Sequence, residues 1–255
     1  MIAVLDSGIG GTSVLKELIR LMPGEDFLFY GDTKHIPYGT KTPEEIRSYV
    51  FPLAERWFRG GAKALVIACN TATAVCADEL RGKYPDKTVI GIEPALKPAA
   101  LSGEHPSVLC MATPLTLSLG KYETLEKRFS KSAEITPLPC PGLAELIEEG
   151  HLDDSVLEEY LTTLFEPFRD RHFDACVLGC THYPHIRKAI ARHLGDGCAL
   201  IDGGCGTARE TKRRLEEKGL LSKGERKGRI VYRNSARSGR TNLLAKQLTE
   251  GTGDD

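Results

Sequence analysis

Short apolar runs alternate along the chain with longer stretches in which apolar residues recur every three or four positions. The short runs are IAVLD (Ile2–Asp6), DFLFYGD (Asp26–Asp32), ALVIAC (Ala64–Cys69), TVIGI (Thr88–Ile92), SVLCMA (Ser107–Ala112), AEITPL (Ala133–Leu138), ACVLGC (Ala175–Cys180), ALID (Ala199–Asp202) and RIVY (Arg229–Tyr232). They are rich in β-branched residues and nearly continuous in hydrophobicity, the pattern of strands covered on both faces. Between them, TSVLKELIRLMPG carries Val14, Leu15, Leu18, Ile19 and Met22 on one helical stripe and stops at Pro23-Gly24. PEEIRSYVFPLAERWFRGG opens on Pro43 and two glutamates and ends at Gly60-Gly61, with Pro52 as an expected kink or boundary. DDSVLEEYLTTLFEPFRDR (Asp153–Arg171) and GTARETKRRLEEKG (Gly206–Gly219) repeat the helical pattern. Strand and helix in alternation predict an α/β fold of mainly parallel sheets flanked by helices. The tail TEGTGDD is expected to fray.

A weak internal repeat divides the chain. ALVIACNTATAV resembles ACVLGCTHYPHI: each is an apolar strand, a cysteine, small polar residues and a helix. Glu93 of VIGIEP and Asp202 of ALIDGG follow at similar spacings, and AVLDSG matches VLCMAT loosely. A repeat of roughly 110 residues suits a small domain. The expected organisation is two similar α/β domains, residues 1–95 with 207–255 and residues 96–206.

Charge changes the picture by exclusion. With 34 Lys+Arg against 35 Asp+Glu the chain is nearly neutral, which argues against nucleic acid or an anionic membrane as the main partner. The basic run SKGERKGR (Ser222–Arg229) holds no aromatic residue and reads as a solvated loop. No apolar run approaches the ~18 residues of a membrane span, and MIAVLDSGIGG reads as a core strand rather than a signal peptide. A cytoplasmic protein is expected. Its eight cysteines sit mostly in apolar segments with no CxxC pair, so free thiols are the default.

In parallel α/β sheets, ligands bind where strands hand over to helices. Four such places carry polar residues: Asp6-Ser7, Asp32 with the loop TKHIPYGTK, Cys69-Asn70-Thr71, and Cys180-Thr181-His182. DSGIGG is neither GxGxxG nor a P-loop, and Asp6 would repel phosphate. Gly8, Gly10 and Gly11 are read as tight-turn glycines, and Asp6 as either a helix N-cap or a functional acid. Cys69 and Cys180 each end a strand close to a helix start, where the helix dipole and free N–H groups stabilise a thiolate.

VLGCTHYPHI admits three chemistries. Cys176, Cys180, His182 and His185 offer four metal ligands, but a strand and a helix start converge on one ion awkwardly. A Cys–His hydrolase places His182 only two residues from Cys180, too near to reach its own nucleophile well, and nothing marks an oxyanion hole. The third uses both thiols. A racemase removes a proton from one face of a carbon and returns one to the other, so two thiols from two domains serve as paired acid and base. Asp6 and His182 then assist their respective thiols, and Ser7, Asn70, Thr71 and Thr181 hold polar groups of the substrate.

The segments AVLDSGIGG, GDTKHIPYGTK, VIACNTATA, IGIEPA, CPGLAELIEEG and VLGCTHYPHIRKAI, in that order, resemble the glutamate racemases of the aspartate/glutamate racemase superfamily, from about Ile2 to Glu210. The resemblance implies a cofactor-independent racemase with two pseudo-symmetric domains and an active site in the cleft between them. It implies a homodimer of the bacterial cytoplasm that supplies D-glutamate for peptidoglycan precursors. It makes Cys69 and Cys180 the acid/base thiols, with Asp6, His182 and Glu148 as auxiliary groups and no metal. It assigns substrate contacts to Asp6, Ser7, Tyr38, Gly39, Asn70, Thr71, Thr181 and His182. The GCTH form favours glutamate, since aspartate racemases tend to carry a glutamate after GCT. MATPLTLSLGKY departs from the usual ATxGT, which leaves Thr113 and Thr116 unassigned, and Cys205 is read as packing. The alternatives are another racemase of the superfamily, for aspartate or hydantoins, an arylmalonate decarboxylase-like enzyme, and a zinc- or redox-binding regulatory protein.

Overall fold

A computed structural model describes residues 1–222, 224 and 226–250. The nine apolar runs form nine strands: β1 (Ile2–Asp6), β2 (Phe27–Gly31), β3 (Ala64–Ile67), β4 (Thr88–Gly91), β5 (Ser107–Ala112), β6 (Glu134–Pro139), β7 (Ala175–Leu178), β8 (Ala199–Asp202) and β9 (Ile230–Asn234). They make two sheets, ordered β4-β3-β1-β2-β9 and β6-β5-β7-β8, and every pairing is parallel. The chain divides into two compact units: Met1–Glu93 with the segment from Gly204 onward, and Pro94–Gly203.

The central strands β1, β3, β5 and β7 are buried on both faces, which is why they carry no polar alternation, whereas the edge strands β6, β8 and β9 are partly exposed. In the first unit, Ile2, Val4, Phe27, Phe29 and Val66 pack against Val14, Leu15 and Leu18 of the helix Thr12–Leu21, and against Ala208 and Leu215 of the helix Gly204–Glu217. On the other face Ala3, Leu5, Leu65 and Ile67 are fully buried, and Tyr30 meets Trp57 of the helix Pro43–Arg59 edge to face. That helix continues through Pro52, so of the expected kink or boundary the boundary does not occur. Pro52 and Ser48, whose carbonyl loses its helical N–H partner, are both exposed, so that carbonyl lies on the solvent side of the helix.

In the second unit, Leu109, Met111, Cys176 and Leu178 pack against Leu143, Ile147, Leu161 and Ile190, while Val108, Cys110, Ala175 and Val177 pack against Leu96, Tyr122 and Phe129. Burying one such leucine is worth about 1.5–3 kcal/mol.

The internal repeat is topological. Setting β5, β6, β7 and β8 beside β1, β2, β3 and β4 gives the same strand order in both sheets. Ile67 pairs with Gly91 as Leu178 pairs with Asp202, so Asp202 corresponds to Gly91 rather than to Glu93. Of the basic run, Lys223 and Glu225 lie outside the described residues. Arg226 and the Arg229 backbone N–H are both bonded to Asp26, so its end is pinned. Of the tail, Thr249 and Glu250 belong to the helix Gly239–Glu250, and residues 251–255 lie outside the described residues.

Candidate active site

The first unit presents its polar strand ends as a group. Asp6, last in β1, is fully buried, and its Oδ2 accepts the Gly8 N–H at 3.0 Å. It does not cap the helix Thr12–Leu21, whose N-cap is Gly11. Gly10 and Gly11 are the central residues of a turn closed by the Thr12 N–H on the Ile9 carbonyl at 3.0 Å, as the tight-turn reading requires, and neither adopts a positive φ. Gly11 is required for space: a Cβ there would lie 2.6 Å from Asp6 Cβ and 3.1 Å from Ala68 Cβ. Ala68 is tied to β1 through its N–H on the Leu5 carbonyl, 2.7 Å. The glycine therefore lets Asp6 lie beside the end of β3, where Cys69 follows.

Cys69 is the N-cap of the helix Asn70–Lys83, and its sulfur accepts the Ala72 N–H at 3.5 Å. The positive end of the dipole of this 14-residue helix faces the sulfur. Ser7, Asn70 and Thr71 are buried alongside, and Asn70 Oδ1 has no hydrogen-bond partner. Tyr38 opens the short 3-10 turn Tyr38–Thr40, which contains Gly39 and packs on the helix Asn70–Lys83. Its hydroxyl donates to Asp32 Oδ2 at 2.6 Å. Burial and the Asp32 carboxylate push the phenol well above its usual range, and Cys69 and Asp6 add to the effect from within electrostatic reach.

The second unit treats its cysteine differently. Cys180 ends its strand as expected, but the α-helix expected close by starts only at Arg187. The cysteine leads through Thr181 and His182 into a 3-10 turn, Tyr183–Ile186, and only then into the helix Arg187–Leu194. A 3-10 turn offers little dipole, and a side chain stands beside the sulfur instead. His182 Nδ1 lies 3.5 Å from Cys180 Sγ, so a histidine two residues on does reach the thiol, against the objection raised to a Cys–His hydrolase and as its reading as an aid to that thiol requires. The turn that follows folds the imidazole back over the sulfur. His182 Nε2 lies 2.6 Å from Glu148 Oε1, on the helix Leu143–Glu149. Burial alone would lower the His182 pKa. The Cys180 sulfur and the Glu148 carboxylate outweigh it and hold the imidazole well above 6.5.

Gly179 sets this loop. Its N–H bonds the Met111 carbonyl at 2.7 Å, and a Cβ would lie 2.6 Å from that oxygen. Thr113, the counterpart of Ser7, caps the helix Pro114–Ser118 and shares a hydroxyl contact with Thr116 at 2.9 Å.

The remaining thiols are of another kind. Burial pushes Cys76 and Cys110 up to about 12 and Cys198 to about 11, and raises Cys140 and Cys176 well above the usual thiol range as well. Cys176, offered above as a metal ligand, is packed in the core of β7. No group of three or more His, Cys, Asp or Glu among the described residues is placed to hold a metal ion. Cys205 takes a contact from Arg20 at 3.8 Å.

The residues that sequence reasoning underused are Asp32 and His35. The loop that contains them stood out, but nothing in its letters says that Tyr38 and His35 close on one carboxylate.

The family described as Asp/Glu/Hydantoin racemase matches residues 2–211. A glutamate racemase of Clostridium perfringens (strain ATCC 13124) is 46% identical over 98% of this chain and 96% of its own. Among solved structures, the glutamate racemase isoform RacE1 of Bacillus anthracis superposes with a TM-score of 0.87 at 29% identity, covering 98% of this chain and 94% of that one. The glutamate racemase of Francisella tularensis, solved in complex with D-glutamate, gives 0.84 at 28% identity, covering 98% and 93%.

Proposed function

The chain belongs to the Asp/Glu/hydantoin racemase family, and from that premise we infer that it is a glutamate racemase, interconverting L- and D-glutamate. The observation that carries the reading is the equivalence of two thiols: Cys69 follows β3 and Cys180 follows β7 in sheets of one strand order.

The α-proton of an amino acid is a very weak acid, and each tenfold in rate requires ~1.4 kcal/mol off the barrier. One cysteine, as thiolate, takes the α-proton; the carbanion receives a proton on its opposite face from the other, as thiol. The starting thiolate ends protonated and its partner ends ionised, so charge balances across the turnover. The dipole of the helix Asn70–Lys83 favours the anion at Cys69, with Asp6 as its auxiliary acid. His182, oriented by Glu148, serves Cys180 in the same way.

Donors from Thr71 and Thr181 and the Asn70 amide hold the α-carboxylate as negative charge spreads into it. Asn70 Oδ1, an acceptor without a partner, suits the substrate ammonium. Ser7, Tyr38 and Gly39 complete the contacts. The acid and base groups all come from the chain's own side chains. The protein works as a homodimer in the cytoplasm, and its D-glutamate feeds peptidoglycan precursors. No helix among the described residues is long and apolar enough to cross a membrane.

The test is incubation of each glutamate enantiomer in heavy water without added cofactor. Deuterium should enter Cα as the rotation decays to zero. Faster turnover of aspartate or a hydantoin would move the enzyme elsewhere in its superfamily, and light scattering separates dimer from monomer.

A further inference from the structure

We propose that Asp32, clamped by His35, is a positioning residue for the Cys69 half of the reaction: its carboxylate fixes the buried Tyr38 ring, and so governs proton transfer at Cys69 and not at Cys180. The proposal rests on the two-thiol reading above.

Asp32 follows β2 and is buried, and its N–H bonds the carbonyl of Asp6 at 2.9 Å. A buried carboxylate is unfavourable unless its oxygens are filled, and here both are. His35 Nδ1 lies 2.9 Å from each oxygen, and the Tyr38 hydroxyl donates to Oδ2 at 2.6 Å. The His35 ring is itself held, stacked on Tyr49 of the helix Pro43–Arg59 at 4.0 Å and 7°.

A phenylalanine at position 38 would fill the same fully buried volume. The hydroxyl and the carboxylate are thus an addition that packing does not require. What they fix is the start of the turn Tyr38–Thr40, which packs on the helix capped by Cys69. A ring free to shift would move the Tyr38-Gly39 backbone against that thiol, and misplacement by about 1 Å costs roughly a hundredfold in rate.

The test uses α-deuterated L- and D-glutamate with the full-length enzyme. The two enantiomers are equal in energy, so any variant lowers kcat/KM equally in both directions, and activity alone cannot locate the fault. The substrate isotope effect can. Slowing transfer at Cys69 makes removal of the α-deuteron fully limiting in the direction that starts there, and the isotope effect rises. In the direction that starts at Cys180, removal becomes a fast pre-equilibrium and the effect falls.

Asp32→Asn should lower kcat/KM roughly ten- to a hundredfold and split the two isotope effects in this sense. His182→Asn, which disturbs Cys180, should split them in the opposite sense. Isotope effects in Asp32→Asn equal to the parent's, or split as in His182→Asn, would overturn the proposal and leave the two-thiol reading standing. If His182→Asn, Cys69→Ser and Cys180→Ser also keep the parent's values, the reading falls and the proposal with it. Should Asp32→Asn fail to fold, Tyr38→Phe removes the same hydrogen bond by deleting one oxygen. It must give the same split, and the parent's values there would overturn the proposal equally.

Discussion

Glu148 Oε1 lies 2.6 Å from Nε2 of His182, and this leaves the other ring nitrogen, Nδ1, to face the Cys180 sulfur at 3.5 Å. One carboxylate thus fixes the orientation of the imidazole and adds negative charge on the side away from the thiol. Glu148→Gln keeps the shape and removes the charge. We expect kcat/KM to fall roughly ten- to a hundredfold, the equivalent of about 1.5–3 kcal/mol for a hydrogen bond to a charged group.

The same pair sets a pH dependence. His182 titrates above its ordinary 6.5 in the folded protein, because the sulfur and the carboxylate outweigh burial. The stability it contributes is fully present below that ordinary value and is lost as pH rises through the higher folded value. Urea melts of the parent and Glu148→Gln should therefore differ most below 6.5 and converge in alkaline solution. A gap that widened as pH rose would contradict the assignment.

Cys69→Ser and Cys180→Ser should each cut racemisation at least ~1000-fold, or about 4 kcal/mol of barrier. Slow one-sided chemistry on suitable substrates should survive. Cys198→Ser is the control, since that half-buried thiol is pushed up to about 11 by burial and precedes β8, at the end of its sheet opposite to Cys180. Its activity should stay within about twofold of the parent's, as surface-side changes generally do. Near-normal turnover in either active-site variant would remove that thiol from the mechanism.

Gly11→Ala adds one carbon where Asp6 Cβ and Ala68 Cβ leave 2.6 and 3.1 Å. The backbone there is helical and suits alanine, so any cost is steric. We expect a loss of about 1–3 kcal/mol in denaturant melts, with a fall in kcat/KM beyond what the unfolded fraction explains. Full activity in a destabilised variant would show that Asp6 can shift freely.

Asn70→Leu should separate stability from function. Oδ1 is buried without a partner, so deleting it removes a destabilising group worth about 1–3 kcal/mol. The thermal midpoint should hold or rise while KM for glutamate climbs. A lower midpoint with unchanged KM would mean that the amide serves the fold.

The strands were legible because burial on both faces writes itself as uninterrupted Val, Ile, Leu and Ala, and because parallel pairing leaves the polar residues at one end. That pattern also carried the match of Cys69 to Cys180, which the strand orders bear out. The carry-over of Asp202 to Glu93 failed by two residues because the repeat was aligned on carboxylates, whereas register is set by backbone pairing.

The objection that His182 stands too near Cys180 in sequence to reach it fails for a local reason, and the reading of His182 as an aid to that thiol is not touched by it. Proximity in sequence prevents contact along a strand or helix, but a 3-10 turn at Tyr183 folds the ring back over the sulfur. Asp32 and His35 stayed unread because the contacts that define them depend on how an irregular loop closes, and no periodicity reports that.

The second unit is one unbroken stretch of chain, whereas the first is begun by residues up to Glu93 and finished by those from Gly204. On the ribosome this imposes an order. β2 emerges early with its β9 edge vacant, and the stripe Val14, Leu15 and Leu18 waits for Ala208 and Leu215. At about ten residues per second, the wait lasts roughly twenty seconds, about half of it the synthesis of Pro94–Gly203, which can fold to completion meanwhile. Nascent chains stalled once that stretch has cleared the exit tunnel should resist protease within it and be cut before it.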